Sequence, residues 1–242
     1  MATDHFGPEV AARYDEDEAA MFAAAALEPA VEFLVALAGD QPALELGIGT
    51  GRVAVPLHDR GVDVHGVDLS VAMVEQLRAK PGGADIPVVI GDFATATVDG
   101  AFGLAYLVFN TIGNLTSQAE QVACFRNVAR HLVPGGHFVI EVGVPGVLGL
   151  SAGETVRPFE VTEDHVGFDE YDVVTQSLIS HHLYRDGEGW RRGFTPLRYV
   201  WPAELDLMAQ LAGMTLVERW GDWDRSVYDQ ASTKHISVWR KA

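Results

Sequence analysis

A chain of 242 residues with 34 acidic against 17 basic side chains carries a formal charge of −17 near neutrality, which excludes the basic surface that nucleic-acid binding uses to neutralise phosphate. With 48% hydrophobic residues it can bury one large core, so one domain over 1–242 is expected. No window has the apolar length of a membrane span, residues 1–8 lack a secretory signal and Cys124 has no disulfide partner, so a cytoplasmic protein with neither membrane nor nucleic-acid partner is expected.

Residues 1–40 read as a helical cap of one or two helices, with the Ala-rich stretch 19–26 carrying high helix propensity. The acids Asp15, Glu16, Asp17 and Glu18 read as a solvated helix face. Residues 41–145 then alternate strand and helix patterns. At 43–52 stands Ala-Leu-Glu-Leu-Gly-Ile-Gly-Thr-Gly-Arg, a buried strand running into three alternating glycines. Gly47, Gly49 and Gly51 let the chain turn tightly and expose backbone N–H groups to a ligand. Glu45 beside that cradle would repel a pyrophosphate and suits a ligand bearing an ammonium group. The stretch 49–54 also fits a dinucleotide fingerprint, so the glycines alone leave two ligand classes open.

A second strand at 62–68 ends in Asp68, placed to accept from ribose hydroxyls, and a third at 86–93 ends in Asp92-Phe93. The run 102–109 is a continuous apolar strand of the kind that helices cover on both faces. Ser117-Gln-Ala-Glu120 is a capping box opening a helix to about Leu132, with Cys124 buried on it. Pro134-Gly135-Gly136 stops that helix and leads into a fifth strand ending at Glu141. Residues 146–200 turn to a β-rich pattern: a long run at 168–184, a hairpin turn at 186–189, and a return at 190–200. Residues 201–242 complete the sheet with a helix ending at Gly213 and two antiparallel strands, 214–220 and 235–239.

The acid-x-Gly-x-Gly-x-Gly string at 45–51, the acids ending strands two and three, and Pro-Gly-Gly before strand five together resemble class I S-adenosylmethionine-dependent methyltransferases. That resemblance implies an α/β fold: a Rossmann-like, seven-stranded, mostly parallel sheet with an antiparallel C-terminal hairpin, an N-terminal helical cap and a β-rich insertion after strand five. It implies that Glu45, Gly47, Gly49 and Gly51 receive the methionine part of the cofactor and Asp68 the ribose. Asp92 receives the adenine amino group, Phe93 flanks the ring, and Leu69, Met73 and Phe109 complete the cofactor set. Ala-Arg-Tyr14-Asp15 resembles a Tyr-Asp pair near the start of small-molecule members, whose first segment folds over the cofactor as a lid; there the tyrosine approaches the methyl donor or acceptor.

Among small-molecule members the chain is similar to bacterial tailoring enzymes of antibiotic biosynthesis, including amino-sugar N-methyltransferases. Those enzymes tend to carry Gly-His-Leu after strand four, where this chain has Gly113-Asn114-Leu115. Methyl transfer from a sulfonium needs alignment and exclusion of water, and a base only for a protonated acceptor. The catalytic candidates are Tyr14, Asn114 as a hydrogen-bonding group, and His182; adjacent His181 points to the other face of its strand, and Glu141 ends strand five near the same pocket. The small-molecule acceptor is expected between the Tyr14 segment, the 110–115 loop and the 150–200 insertion. No metal is expected. A non-methylating cyclase or cofactor-binding protein of the same fold, and an NAD-dependent oxidoreductase, are the alternatives.

Overall fold

A computed structural model describes residues 4–242. The cap is more broken than the sequence suggests. Three single turns, α1 (Pro8–Ala11), α2 (Tyr14–Asp17) and α3 (Ala19–Phe22), precede one long helix, α4 (Ala24–Ala38). The physical reason is burial: α2 and α3 bury no residue, whereas α4 buries Val31, Phe33 and Leu34 against the core. Short helices without an apolar face do not propagate on propensity alone.

The core continues through β1 (Ala43–Leu46), α5 (Ala54–Asp59), β2 (Val64–Asp68), α6 (Val71–Ala79), β3 (Val88–Ile90), β4 (Phe102–Leu107), α7 (Gln118–His131) and β5 (Leu132–Gly143). The insertion supplies β6 (Val156–Val161), β7 (His165–Asp172), β8 (Ser177–Asp186) and β9 (Gly189–Arg198). The chain closes with α8 (Pro202–Leu211), β10 (Met214–Trp220) and β11 (Lys234–Lys241). The main sheet has seven strands in the order β10-β11-β5-β4-β1-β2-β3. It is parallel except where β11 runs against β5 and β10. Every residue of β1 and β4 is buried, because helices cover both faces of these central strands. One face packs Leu44, Phe125, Phe138 and Trp239. The other packs Leu34, Leu57, Tyr106 and Ile236.

Two local readings are corrected. Helix α7 ends at His131, before Pro134-Gly135-Gly136, which lies inside β5. There Leu132 pairs with Phe102 and His137 with Leu104, so the extra residues form a bulge that Gly135 enters at φ +81°. The run at 168–184 is a hairpin rather than one strand: β7 and β8 pair from His165↔Tyr184 to Asp172↔Ser177. With β6 and β9 they form a separate antiparallel sheet in the order β6-β7-β8-β9. Among the described residues no helix is long and apolar enough to cross a membrane.

Candidate active site

The glycine loop follows β1 and is held by the acid that ends β2. Asp68 accepts from the Gly49 N–H (2.7 Å) through one oxygen and from the Ser70 N–H (2.8 Å) through the other. Burial raises its pKa while these two donors oppose the rise. Ser70 caps α6 by accepting from the Met73 N–H. Gly47 sits at φ +71°, and a Cβ there would lie 2.5 Å from Thr111 Cγ2, so loop and 111–114 turn approach through the missing side chain. Gly51, at φ +80°, has Leu77 where its Cβ would stand, so it serves the packing of α6 under the loop.

Above this loop lies a cavity of about 520 Å³. It brings together Tyr14, Gly47, Gly49, Asp68, Leu69, Met73, Asp92, Phe93 and Asn114 from the expected set. Asp92 also accepts from the Ala94 N–H (2.8 Å), which tightens the turn after β3. Asn127 donates to the Phe93 and Ala96 carbonyls, both at 2.9 Å, and fixes that turn from α7. The lining includes residues that sequence reasoning missed, Asp4, His5 and Phe6 from the N-terminal segment with Ser70, Thr116 and Glu120; Thr111 and Leu115 come from the expected 110–115 loop and Pro196 from the expected insertion. The helix-start pattern Asp-Leu-Ser and the capping box gave signals for Ser70 and Glu120. Nothing local marks Pro196, which arrives from the insertion.

Four expected residues stand elsewhere. Glu45 is 2% exposed and lies behind the loop, where its Oε2 accepts from the Tyr106 hydroxyl at 3.0 Å. The parallel register sets Glu45 beside Tyr106, so the pleat sends both side chains to the α4 face of the sheet. Burial pushes its pKa up to about 8, opposed by the Tyr106 hydrogen bond. Gly51 is covered by Leu77. Phe109 lies under the Arg52 guanidinium, 5.5 Å from its ring centroid, outside the cavity lining. His182 is on the insertion sheet, hydrogen-bonded to His165 (3.0 Å) and Ser180 (3.3 Å) and stacked on Tyr184. His181 faces the other way, toward Glu170 (3.1 Å) and Arg192 (3.3 Å). Neither imidazole lines the cavity.

Tyr14 roofs the cavity with its ring edge-on to Phe6, 6.2 Å between centroids. Burial, reinforced by Glu18, pushes its pKa up to about 12, so it is a hydrogen-bonding phenol at neutral pH. At the end of β4, Phe109 and Asn110 both take left-handed backbone, φ +54° and +60°. The strain is held from β5: Phe109 N–H donates to Glu141 Oε2 (3.0 Å) and Gly143 N–H to Asn110 Oδ1 (2.6 Å). Glu141 Oε1 accepts from Trp223 Nε1 and Lys234 Nζ, both at 3.1 Å. Glu141 therefore shapes the loop carrying Asn114, and it lines a second cavity, of about 330 Å³, beneath α4.

Residues 43–136 match the family model described as a methyltransferase domain. The chain is 28% identical over 202 residues to the cypemycin N-terminal methyltransferase of a Streptomyces species, covering 81% of each. Among solved structures it is similar to the CcbJ methyltransferase of Streptomyces caelestis, at 41% identity, a TM-score of 0.81 and 88% of both chains. It shares its fold, at 20% identity and a TM-score of 0.67 over 89% of this chain and 90% of the other, with S-adenosylmethionine-bound CalS10. That protein is an amino pentose methyltransferase from Micromonospora echinaspora involved in calicheamicin biosynthesis.

Proposed function

This chain belongs to the S-adenosylmethionine-dependent methyltransferases, and from that membership we propose that it methylates an amine nitrogen of a small natural-product acceptor. The observation that carries the reading is the chemistry of the cavity wall. Among the described residues it presents the carboxylates Asp4, Asp68, Asp92 and Glu120 and no lysine or arginine. A cationic cofactor and an amine acceptor both suit such a wall. Nitrogen attacks as the free amine, so an amine held by this wall as its ammonium first gives up a proton, for which the wall carboxylates and His5 are the available acceptors; Tyr14, with its pKa pushed up to about 12, is a hydrogen-bonding phenol and not that base. The cypemycin enzyme, by its name, methylates an N-terminus, and CalS10 acts on an amino pentose; both agree with nitrogen as the acceptor.

The bound cofactor supplies a methyl group already activated on a sulfonium. The residues fit it: the open loop at Gly47 and Gly49 suits its methionine end, the unused lone pairs of Asp68 the ribose, Asp92 the adenine amino group, and Phe93 the ring face. Tyr14 and Asn114 then orient the acceptor, and the insertion, through Pro196, closes the wall against water. Glu45 stands behind the loop, outside the cavity lining, so the loop backbone rather than its carboxyl would face the cofactor. The acceptor lies between the Tyr14 segment, the 110–115 loop and the insertion.

The test is a methylation assay with isotope-labelled cofactor on paired acceptors, amino sugars and N-terminal peptide amines against their hydroxyl analogues. Label on nitrogen in the amines alone is expected. Label on the hydroxyl analogues with the amines untouched would overturn the assignment.

A further inference from the structure

The segment 4–22 roofs the cavity through Asp4, His5, Phe6 and Tyr14. Helices α2 and α3 bury nothing and α1 buries only Ala11. The strongest attachment is a node at Asp15. Thr50 Oγ1 donates to Asp15 Oδ1 (2.6 Å), and Lys80 Nζ stands 2.5 Å from Asp15 Oδ2. The same ammonium donates to the Thr50 carbonyl (2.8 Å) and sits 5.0 Å from the centroid of the Phe22 ring. One cation at the end of α6 thus ties together α2, α3 and the glycine loop. Thr50 lies between Gly49 and Gly51 and is 2% exposed, so the node grips the loop itself. The remaining ties are weaker or single: Ser70 Oγ donates to the Phe6 carbonyl (2.7 Å), Arg52 to the Met21 carbonyl (3.4 Å), and Arg191 pairs with Asp17 (3.5 Å).

We propose that Asp15 and Lys80 are positioning residues: they form an electrostatic latch that holds residues 4–22 closed over bound S-adenosylmethionine, and release of this latch limits cofactor exchange. A segment with little buried apolar surface opens at low cost, so its contacts with the core set how often it opens. Asp15 is the neighbour of Tyr14, and the latch therefore also sets where the Tyr14 ring stands. The side chains of Asp15 and Lys80 are 39% and 27% exposed, which leaves the pair open to screening by salt. The proposal rests on the cofactor occupying this cavity, which binding by the wild-type protein tests separately from the rates below.

The experiment follows dissociation of S-adenosylhomocysteine, displaced by excess S-adenosylmethionine, from the wild type, Asp15→Asn, Lys80→Met and the double variant at low and high salt. Each single variant is expected to release the ligand about fivefold to tenfold faster, the scale of one exposed ion pair with a charged hydrogen bond. The wild-type rate is expected to rise with salt and the variant rates to stay flat, with the double variant no faster than the singles. In cofactor-free protein, trypsin is expected to cut at Arg13 faster in both variants while the melting temperature stays within about 2 °C of wild type. Unchanged dissociation in both single variants overturns the latch. Faster dissociation that keeps the wild-type salt dependence, or that comes with a clear fall in melting temperature, overturns it equally.

Discussion

Glu45 is the residue whose burial has the clearest thermodynamic consequence. Its pKa stands at about 8 in the folded chain against 4.5 for the free side chain. A group raised on folding contributes stability that is fully present below the unfolded pKa and is lost as pH rises through the folded one. Wild-type stability should therefore decline between about pH 4.5 and pH 8, by at most about 5 kcal/mol, the full linkage value of such a shift. Glu45→Gln keeps an acceptor for the Tyr106 hydroxyl and removes the titration, so urea midpoints of the two proteins should meet near pH 5 and separate in favour of the variant by pH 9. Parallel curves would show that Glu45 is not the titrating group. The sequence made Glu45 legible as an acid at the loop but not as one behind it, because the strand register that pairs it with Tyr106 is a long-range fact. The same holds for Asp4, His5 and Phe6, which reach the cavity only when the first segment folds back across it. Asp68, Asp92 and Phe93 were legible because Asp68 ends β2 and the other two stand in the turn just past β3, so each needs only its own strand in place.

At the scale of elements, α7 begins where the sequence said it would. Ser117 Oγ accepts from the Glu120 N–H (3.2 Å), and Glu120 Oε2 accepts from the Ser117 N–H (2.9 Å). Ser117→Ala should cost about 1 kcal/mol of unfolding free energy, the usual worth of such a cap, measured by denaturant titration. A cost near zero would mean that tertiary packing alone fixes this helix end. The insertion was less legible. Val173 and Val174 read as strand formers, and Val174 is 88% exposed at a hairpin tip. The turn is made by Asp172, which accepts from the Val174 N–H (2.9 Å) and the Thr175 hydroxyl (2.7 Å), and by Gln176 at φ +59°. Asp172 with Thr175 three residues on was the local signal, and the two valines between them outweighed it. Strand β6 left no usable pattern because all six of its residues are exposed. The parallel core was readable for the opposite reason: strands buried on both faces are continuous apolar runs that helices must flank.

Over the whole molecule, the charge of −17 acts on every partner at once. Repulsion from phosphate should keep the protein from shifting RNA or DNA in a gel at physiological salt, and tight, salt-sensitive binding in such a titration would contradict that. The central claim is that the cavity above the glycine loop holds S-adenosylmethionine through Asp68, Asp92 and the loop backbone. Calorimetric titration of the wild type and of Asp68→Ala with S-adenosylhomocysteine, with NAD as control, tests it most directly. The account predicts binding to the wild type, none of NAD, and a loss of about 1.5–3 kcal/mol in the variant, the worth of a hydrogen bond to a charged group. Binding of NAD in place of S-adenosylhomocysteine, or unchanged affinity in Asp68→Ala, would contradict it.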